Sequence, residues 1–173
     1  MKKDNSIIIG SGVIGSYLAK FLLSKKQRII VTSRKRKKSY TNYNKLDIEN
    51  KVIFEELDVL KKNEILKLLK KYTPKNIFYF SGQSSLTKSI KLKKVTNDSN
   101  YIGAKKILEI LHKYELKTNF YKANSGYIFE PNKGLINLKS KISKNKNPYI
   151  QSQIKAYKEV KTFRKKGVNC CSI

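Results

Sequence analysis

The stretch IIIGSGVIGSYLAKFLL, residues 7–23, decides the fold. Ile7, Ile8 and Ile9 are three β-branched residues in a row, the composition of a strand buried on both faces. Gly10, Gly12 and Gly15 then spell G-x-G-x-x-G, and Ile14, Leu18, Phe21 and Leu22 are expected on one face of a following helix. The three glycines answer three separate physical needs, which are a tight turn, room for a pyrophosphate against the backbone, and close packing of helix on strand. The helix N-terminus adds unpaired N–H groups and a positive dipole end. The stretch therefore predicts a dinucleotide site built on Gly10, Gly12, Val13, Ile14 and Gly15, with an unliganded strand–turn–helix as the simpler alternative.

With 173 residues the chain has the length of one domain with a real core. No run approaches the 18 or so apolar residues of a membrane span. The start, MKKDNSIIIG, has too short an apolar run for a secretory signal. A cytoplasmic protein without membrane partners is expected. Cys170 and Cys171 are adjacent, so on a strand they point to opposite faces and form neither a metal clip nor a disulfide framework. No metal site is expected. The single histidine, His112, falls late on a helix and is expected in solvent.

The net charge of +27 invites a nucleic-acid reading. The lysines, however, are scattered along nearly every helix face rather than gathered in a stripe. The chain is dense in Lys, Asn, Ile and Tyr, a pattern attributable to bias in the coding DNA. No specific nucleic-acid partner is expected, only loose attraction to polyanions at low salt.

Apolar runs suited to buried strands recur near 6–10, 28–32, 52–57, 76–80, 118–123 and 168–173, and helical periodicity fills most of the gaps after residue 62, at 99–113 and at 149–164. Strands alternating with helices predict an α/β domain over residues 1–173. Its core is a doubly wound, Rossmann-like parallel sheet of about six strands. Residues 34–50 read as a polar, basic insertion and 124–148 as a long loop, both bordering the expected crevice. The last strand runs straight into Ile173, and a further domain is expected to be lacking. The sheet edge left exposed would favour self-association into a homo-oligomer.

After the second strand an NAD-preferring site would place an acid on the ribose 2′-OH, but the sequence there is Thr32-Ser33-Arg34-Lys35. Arg34 can fork onto a 2′-phosphate and Lys35 can add a point charge, so NADP is the expected cofactor. The competing reading is two more exposed basic residues in a basic chain. Asp58 suits either the adenine amino edge or the N-terminus of a helix.

With these residues in place, the chain resembles the extended short-chain dehydrogenase/reductase family of NAD-dependent epimerases and dehydratases, and within it the GDP-mannose 4,6-dehydratase branch. Gly15 to Leu23 resembles the family's GSYLAEFLL, Arg34 and Lys35 stand where the branch has two arginines, and Asp58-Val59 matches its Asp-Leu. Phe80-Ser81-Gly82-Gln83-Ser84-Ser85-Leu86 resembles LGAQSHV. Phe120 to Glu130 resembles FYQASTSELYG, and Asn147 to Gln153 resembles SPYAVAK. The resemblance implies a cofactor site that includes Asp58, Val59, Ser81, Gly82, Gln83, Ser84 and Tyr149. It also implies a catalytic Tyr149 as general base and Ser125 as hydrogen-bond partner of the same sugar hydroxyl. In the family a lysine four residues after the tyrosine lowers that tyrosine's pKa, and a glutamate helps remove the C5 proton before water leaves C6.

This chain departs from the pattern at both places. Gln153 replaces the lysine, and Lys155 is rotated about 200° away on a helix. Tyr127 stands at the glutamate position, with Glu130 three residues later, and Ile9 stands at the first family glycine. The family holds its GDP-sugar with a C-terminal domain, so a GDP-sugar is expected to bind only where such a domain is supplied. The expected function is the NADP-binding half of a nucleotide-sugar dehydratase, impaired in isolation. The alternatives are a non-catalytic NADP(H)-binding module and another epimerase or reductase of the same family.

Overall fold

A computed structural model describes residues 4–35, 39–131 and 134–173. Arg36, Lys37 and Lys38 of the basic run lie outside the described residues. Six strands, β1 (Asn5–Ile9), β2 (Arg28–Ser33), β3 (Ile53–Glu56), β4 (Asn76–Tyr79), β5 (Asn119–Lys122) and β6 (Cys170–Ser172), form one sheet in the order β3-β2-β1-β4-β5-β6. Every pairing is parallel. The winding reverses between β1 and β4, where a doubly wound sheet opens a crevice beyond the carboxyl ends of its strands.

Pleating divides the core. Ile7 and Ile9 join Ile77, Tyr79 and Phe120 against α3 (Lys62–Tyr72), α6 (Gly103–Lys113) and α7 (Pro148–Lys165). Ile8, Ile29 and Val31 point to the other face and pack on Ala19 and Leu22 of α1 (Val13–Ser24). Both faces are covered, which is why these strands read as unbroken apolar runs.

Three expectations need correction. The buried face of α1 is Gly15, Ser16, Ala19 and Leu22, whereas Ile14 is 67% exposed and Phe21 is also exposed. At its start the helix lies so close to β1 that a Cβ on Gly15 would meet the Gly10 carbonyl oxygen, and small residues fill the buried face as far as Ala19. The polar insertion also has its own structure, a short helix α2 (Thr41–Lys45) and a 3-10 turn at Glu49–Lys51. Tyr40, Tyr43 and Ile48 from this segment are buried in the α1-side core, with Tyr40 stacked on Phe54 at 3.7 Å. Finally, α4 (Leu86–Lys91), α5 (Lys93–Asn97) and a π turn at Asp98–Ile102 precede α6. The lysine-rich sequences of α4 and α5 carry little periodicity.

The long loop after β5 holds a 3-10 turn at Gly126–Ile128 and a bridge between Phe129 and Ile142. Cys170 is buried, Cys171 half-buried, and both are free. His112 is exposed and lies edge-on to Phe163 at 5.9 Å. No helix among the described residues is long and apolar enough to cross a membrane.

Candidate functional site

Three glycines build the first half of the crevice. Gly10 has φ +114°, and a Cβ there would stand 2.9 Å from the Ser81 backbone nitrogen. A side chain at Gly15 would meet the Gly10 carbonyl oxygen at 2.5 Å, so this glycine sets the approach of α1 to β1. Gly12 faces open space, with nothing within 4 Å of where its Cβ would be. It caps α1, whose first N–H groups, at Val13 and Ile14, have no side-chain acceptor. A phosphate is the partner such an arrangement suits.

From this turn a cleft of about 1300 Å³ runs across the ends of β1, β2 and β3. Gly10, Gly12, Arg34, Lys35, Asp58, Val59, Ser81 and Gly82 all border it. Its acids and bases are partly paired. Lys61 meets Glu64 at 2.8 Å and Lys71 meets Glu55 at 2.6 Å. The Lys61 ammonium and the Asp58 N–H hold the Glu64 carboxyl below the usual carboxylate range. Arg34 and Lys35 are exposed and make no ion pair among the described residues, which leaves their charge available at the end of β2. Asp58 is half-buried, and its Oδ1 accepts the Leu60 N–H at 2.9 Å just before α3. One carboxylate oxygen is thus committed to the turn.

The second half lies beyond β4 and β5 and is tied together by buried polar side chains. Asn100, 1% exposed, donates through Nδ2 to the Gln83 carbonyl and to Ser152 Oγ, each at 3.0 Å. Its side chain occupies the space a Cβ on Gly82 would need. Gln83 Nε2 donates to the Ser85 carbonyl at 2.8 Å and Gln83 Oε1 accepts the Ser85 N–H, so this side chain shapes the loop after β4. Ser84 is exposed beside it.

Asn147 and Pro148 fix the start of α7. Asn147 Oδ1 accepts the Tyr149 N–H at 2.9 Å and the Ser89 hydroxyl at 3.0 Å, and Pro148 takes the first helical position. Tyr149 therefore sits in the first turn of α7, half-buried against Ile128, Ile150 and Ile154. Ser125 opens the 3-10 turn that packs on α7, and its Oγ accepts the Tyr127 N–H at 3.3 Å. Ile128, at the end of the turn that Ser125 opens, packs in the same small cluster as Tyr149. Tyr127 is exposed, and Glu130 accepts the Lys144 N–H at 3.2 Å. Lys155 is exposed and stands over the Tyr101 ring at 6.0 Å, on another face from Gln153.

One residue of this half escapes sequence reasoning. Lys122, at the end of β5, is 2% exposed, and its Nζ donates to the Ala123 carbonyl and to Gln153 Oε1, the latter at 3.3 Å. Burial pushes its ammonium down to about 8. A signal existed: Phe120 and Lys122 alternate with Tyr121, so a buried Phe120 places Lys122 on the inner face.

Comparison with known proteins agrees with this architecture. The sequence profile of the NAD dependent epimerase/dehydratase family matches residues 7–173. CDP-paratose 2-epimerase of Salmonella typhi is 29% identical over 121 residues, which is 69% of this chain and 36% of that protein. GDP-mannose 4,6-dehydratase of Vibrio cholerae is 26% identical over 184 aligned positions, 99% of this chain and 49% of the relative. The chain thus spans half or less of the length of these relatives. Among solved structures, UDP-glucose 4-epimerase from Brucella ovis in complex with NAD superposes with a TM-score of 0.84 at 18% identity, covering 98% of this chain and 50% of the other. The UDP-Glc/GlcNAc 4-epimerase from Campylobacter jejuni gives 0.85 at 17%, covering 98% and 52%. With the sheet order, the glycine turn and a profile match over nearly its whole length, the chain belongs to the NAD-dependent epimerase/dehydratase family.

Proposed function

We propose that residues 1–173 form the NADP-binding half of a nucleotide-sugar dehydratase of the GDP-mannose 4,6-dehydratase type. The observation that carries the cofactor reading is the cleft that opens at Gly12 and ends at Arg34 and Lys35. Backbone N–H groups at the start of α1 would hold the pyrophosphate, while the Arg34 guanidinium and Lys35 ammonium would take the 2′-phosphate. The dehydratase reading draws on the alignment with GDP-mannose 4,6-dehydratases over 99% of the chain.

In this reading Tyr149 takes the proton of the sugar 4-hydroxyl and Ser125 holds that hydroxyl in line. A bound nicotinamide cofactor would supply hydride transfer between C4 and C6 of the sugar. The GDP-sugar needs a second wall for its crevice. A second reading, an NADP(H)-binding module without dehydration, is favoured by the exposed Tyr127 and by Glu130 being engaged elsewhere, which leave no carboxylate at the proton-removing position.

The test is calorimetric titration with NADPH and NADH at moderate salt, which suppresses attraction of polyphosphates to a chain of charge +27. One-to-one NADPH binding is expected, weakened about tenfold by Arg34→Ala, with NADH little affected, as for loss of one charge-assisted contact. Equal, weak binding of both nucleotides would remove the reading. Turnover of GDP-mannose would then separate the dehydratase from the module.

A further inference from the structure

One row of side chains crosses all six strands on the α1 side of the sheet. The strand register aligns Phe54, Val31, Ile8, Phe78, Tyr121 and Cys171 in that order. The first three are covered: Tyr40 stacks on Phe54, and Ala19 and Leu22 of α1 pack with Val31 and Ile8. Phe78, Tyr121 and Cys171 are only half-buried, with the two rings stacked on each other at 4.9 Å. Among the described residues no helix lies over them. Helices α1 and α2 cover β1, β2 and β3, while α3, α6 and α7 lie on the opposite face and α4 and α5 pack against α7. A parallel sheet gains stability by covering both faces, so this stretch holds apolar burial in reserve.

The shape of the open stretch matches one helix. At about 4.8 Å per pairing β4, β5 and β6 span about 10 Å, and a helix with its side chains is about 10 Å across. The right-handed crossover from β1 to β2 turns the flank of α1 that carries Leu18 and Phe21 towards β4, which gives the stretch a wall. Phe21 is 56% exposed there. At the amino ends of the strands the margin is polar and closed on itself: Asn119 Nδ2 donates to Asn76 Oδ1 at 2.9 Å, and Asn169 donates to Asn119.

Charge selects the occupant. Lys25 and Lys26 at the end of α1 and Lys117 just before β5 are exposed at that same margin, with Lys25 Nζ 5.4 Å from the Phe21 ring centre. None of the three has an ion pair among the described residues, and Asp4 at this end is paired with Lys75 at 2.8 Å. A helix running antiparallel to the strands, as α1 does, would bring its negative dipole end to these lysines. A second copy of this chain would instead set +27 against +27.

We propose that the α1-side face of β4, β5 and β6 is a docking surface for an acidic amphipathic helix of another protein, seated beside α1 with its apolar side on Phe78, Tyr121 and Cys171. The inference stands apart from the dinucleotide reading, because none of these three residues, nor Leu18 or Phe21, borders the cleft.

The experiment titrates the full chain at moderate salt with three helical peptides of about 15 residues. They share one leucine face and carry glutamate, glutamine or lysine on the other. Peptide anisotropy reads binding, and the rate of alkylation by iodoacetamide reads cover over Cys171, since Cys170 is buried on the opposite face. The glutamate peptide is expected to bind most tightly, the lysine peptide least, and bound glutamate peptide should suppress alkylation. Tyr121→Glu and Phe21→Glu should each weaken it about thirtyfold, as for loss of a central aromatic anchor. Phe21 is exposed, so its variant keeps the test sound even where Tyr121→Glu disturbs folding. Ile90→Glu, an equal change of charge on the exposed side of α4, should leave binding intact. Absence of binding, equal binding of the three peptides, or glutamate-peptide binding that survives Phe21→Glu and leaves Cys171 reactive would overturn the inference. So would protection of Cys171 by raising the protein concentration alone, with a dimer in sedimentation, which would make a second copy the occupant.

Discussion

The two halves of the crevice are built on different principles. On the β1–β3 side the glycine turn presents backbone to the cleft, and Gly10 and Gly15 let the chain and α1 approach β1 and β4 closely. On the β4–β6 side buried polar side chains hold the elements together, Asn100 bonded to Ser152 and Lys122 to Gln153. In the first half, the turn that opens the cleft also packs the core through Gly10 and Gly15. In the second, a buried ammonium opposes the stability of the core that holds it.

The largest stability effect is therefore expected from removing that ammonium. Between pH 8 and the ordinary lysine value of 10.5, the folded chain binds fewer protons at Lys122 than the unfolded chain does. Wild-type stability should accordingly rise with pH through this window. Lys122→Met should gain up to about 3 kcal/mol at pH 7, at roughly 1.4 kcal/mol per unit, and the advantage should shrink towards pH 10. Urea denaturation at pH 7 and pH 10 measures it. A variant less stable than wild type at pH 7 would erase the contrast between the halves.

Gly15→Ala probes the other half. Its Cβ would press on the Gly10 carbonyl oxygen at 2.5 Å and on Ile8 at 3.2 Å, and backbone cannot swing aside. A loss of about 1–3 kcal/mol is expected, together with loss of NADPH binding. Gly12→Ala meets nothing, so it should keep the melting temperature close to wild type while blocking the nucleotide. Thermal melts and titrations of the pair would sharpen the assignment of one glycine to packing and the other to the ligand.

The same contrast explains what the sequence made legible. Backbone demands leave residue-type signatures, so Gly10, Gly12 and Gly15 locate the turn between β1 and α1 from spacing alone. β1 and β2 follow because burial on both faces demands apolar runs, Ile7-Ile8-Ile9 and Ile29-Ile30-Val31. The orientation of α1 was not legible: close approach selects small residues for the buried face, whereas an apolar periodicity follows large ones such as Ile14 and Phe21. Lys122 was hidden for another reason. One buried lysine among many exposed ones carries no mark in composition, and only its alternation with Phe120 sets it apart. Side-chain chemistry can sit at any inward-facing strand position, so a site built of side chains is harder to read than one built of backbone.

The smallest expected effect tests whether the first half is as well satisfied as the comparison assumes. Tyr43 on α2 is fully buried beneath the glycine turn, and its Oη lies 3.3 Å from where a Gly15 Cβ would stand. Among the described residues this oxygen has no hydrogen-bond partner, and burial raises its phenol well above the ordinary range. Its ring stays useful, edge-on to Phe54 at 5.2 Å and to Tyr40 at 6.2 Å. Tyr43→Phe keeps those contacts and removes the hydroxyl. It should therefore be neutral or stabilising by about 1 kcal/mol in urea denaturation, with NADPH affinity unchanged. A Tyr43→Phe protein that folds normally but binds NADPH more weakly would show that a side chain, and not backbone alone, shapes the phosphate end.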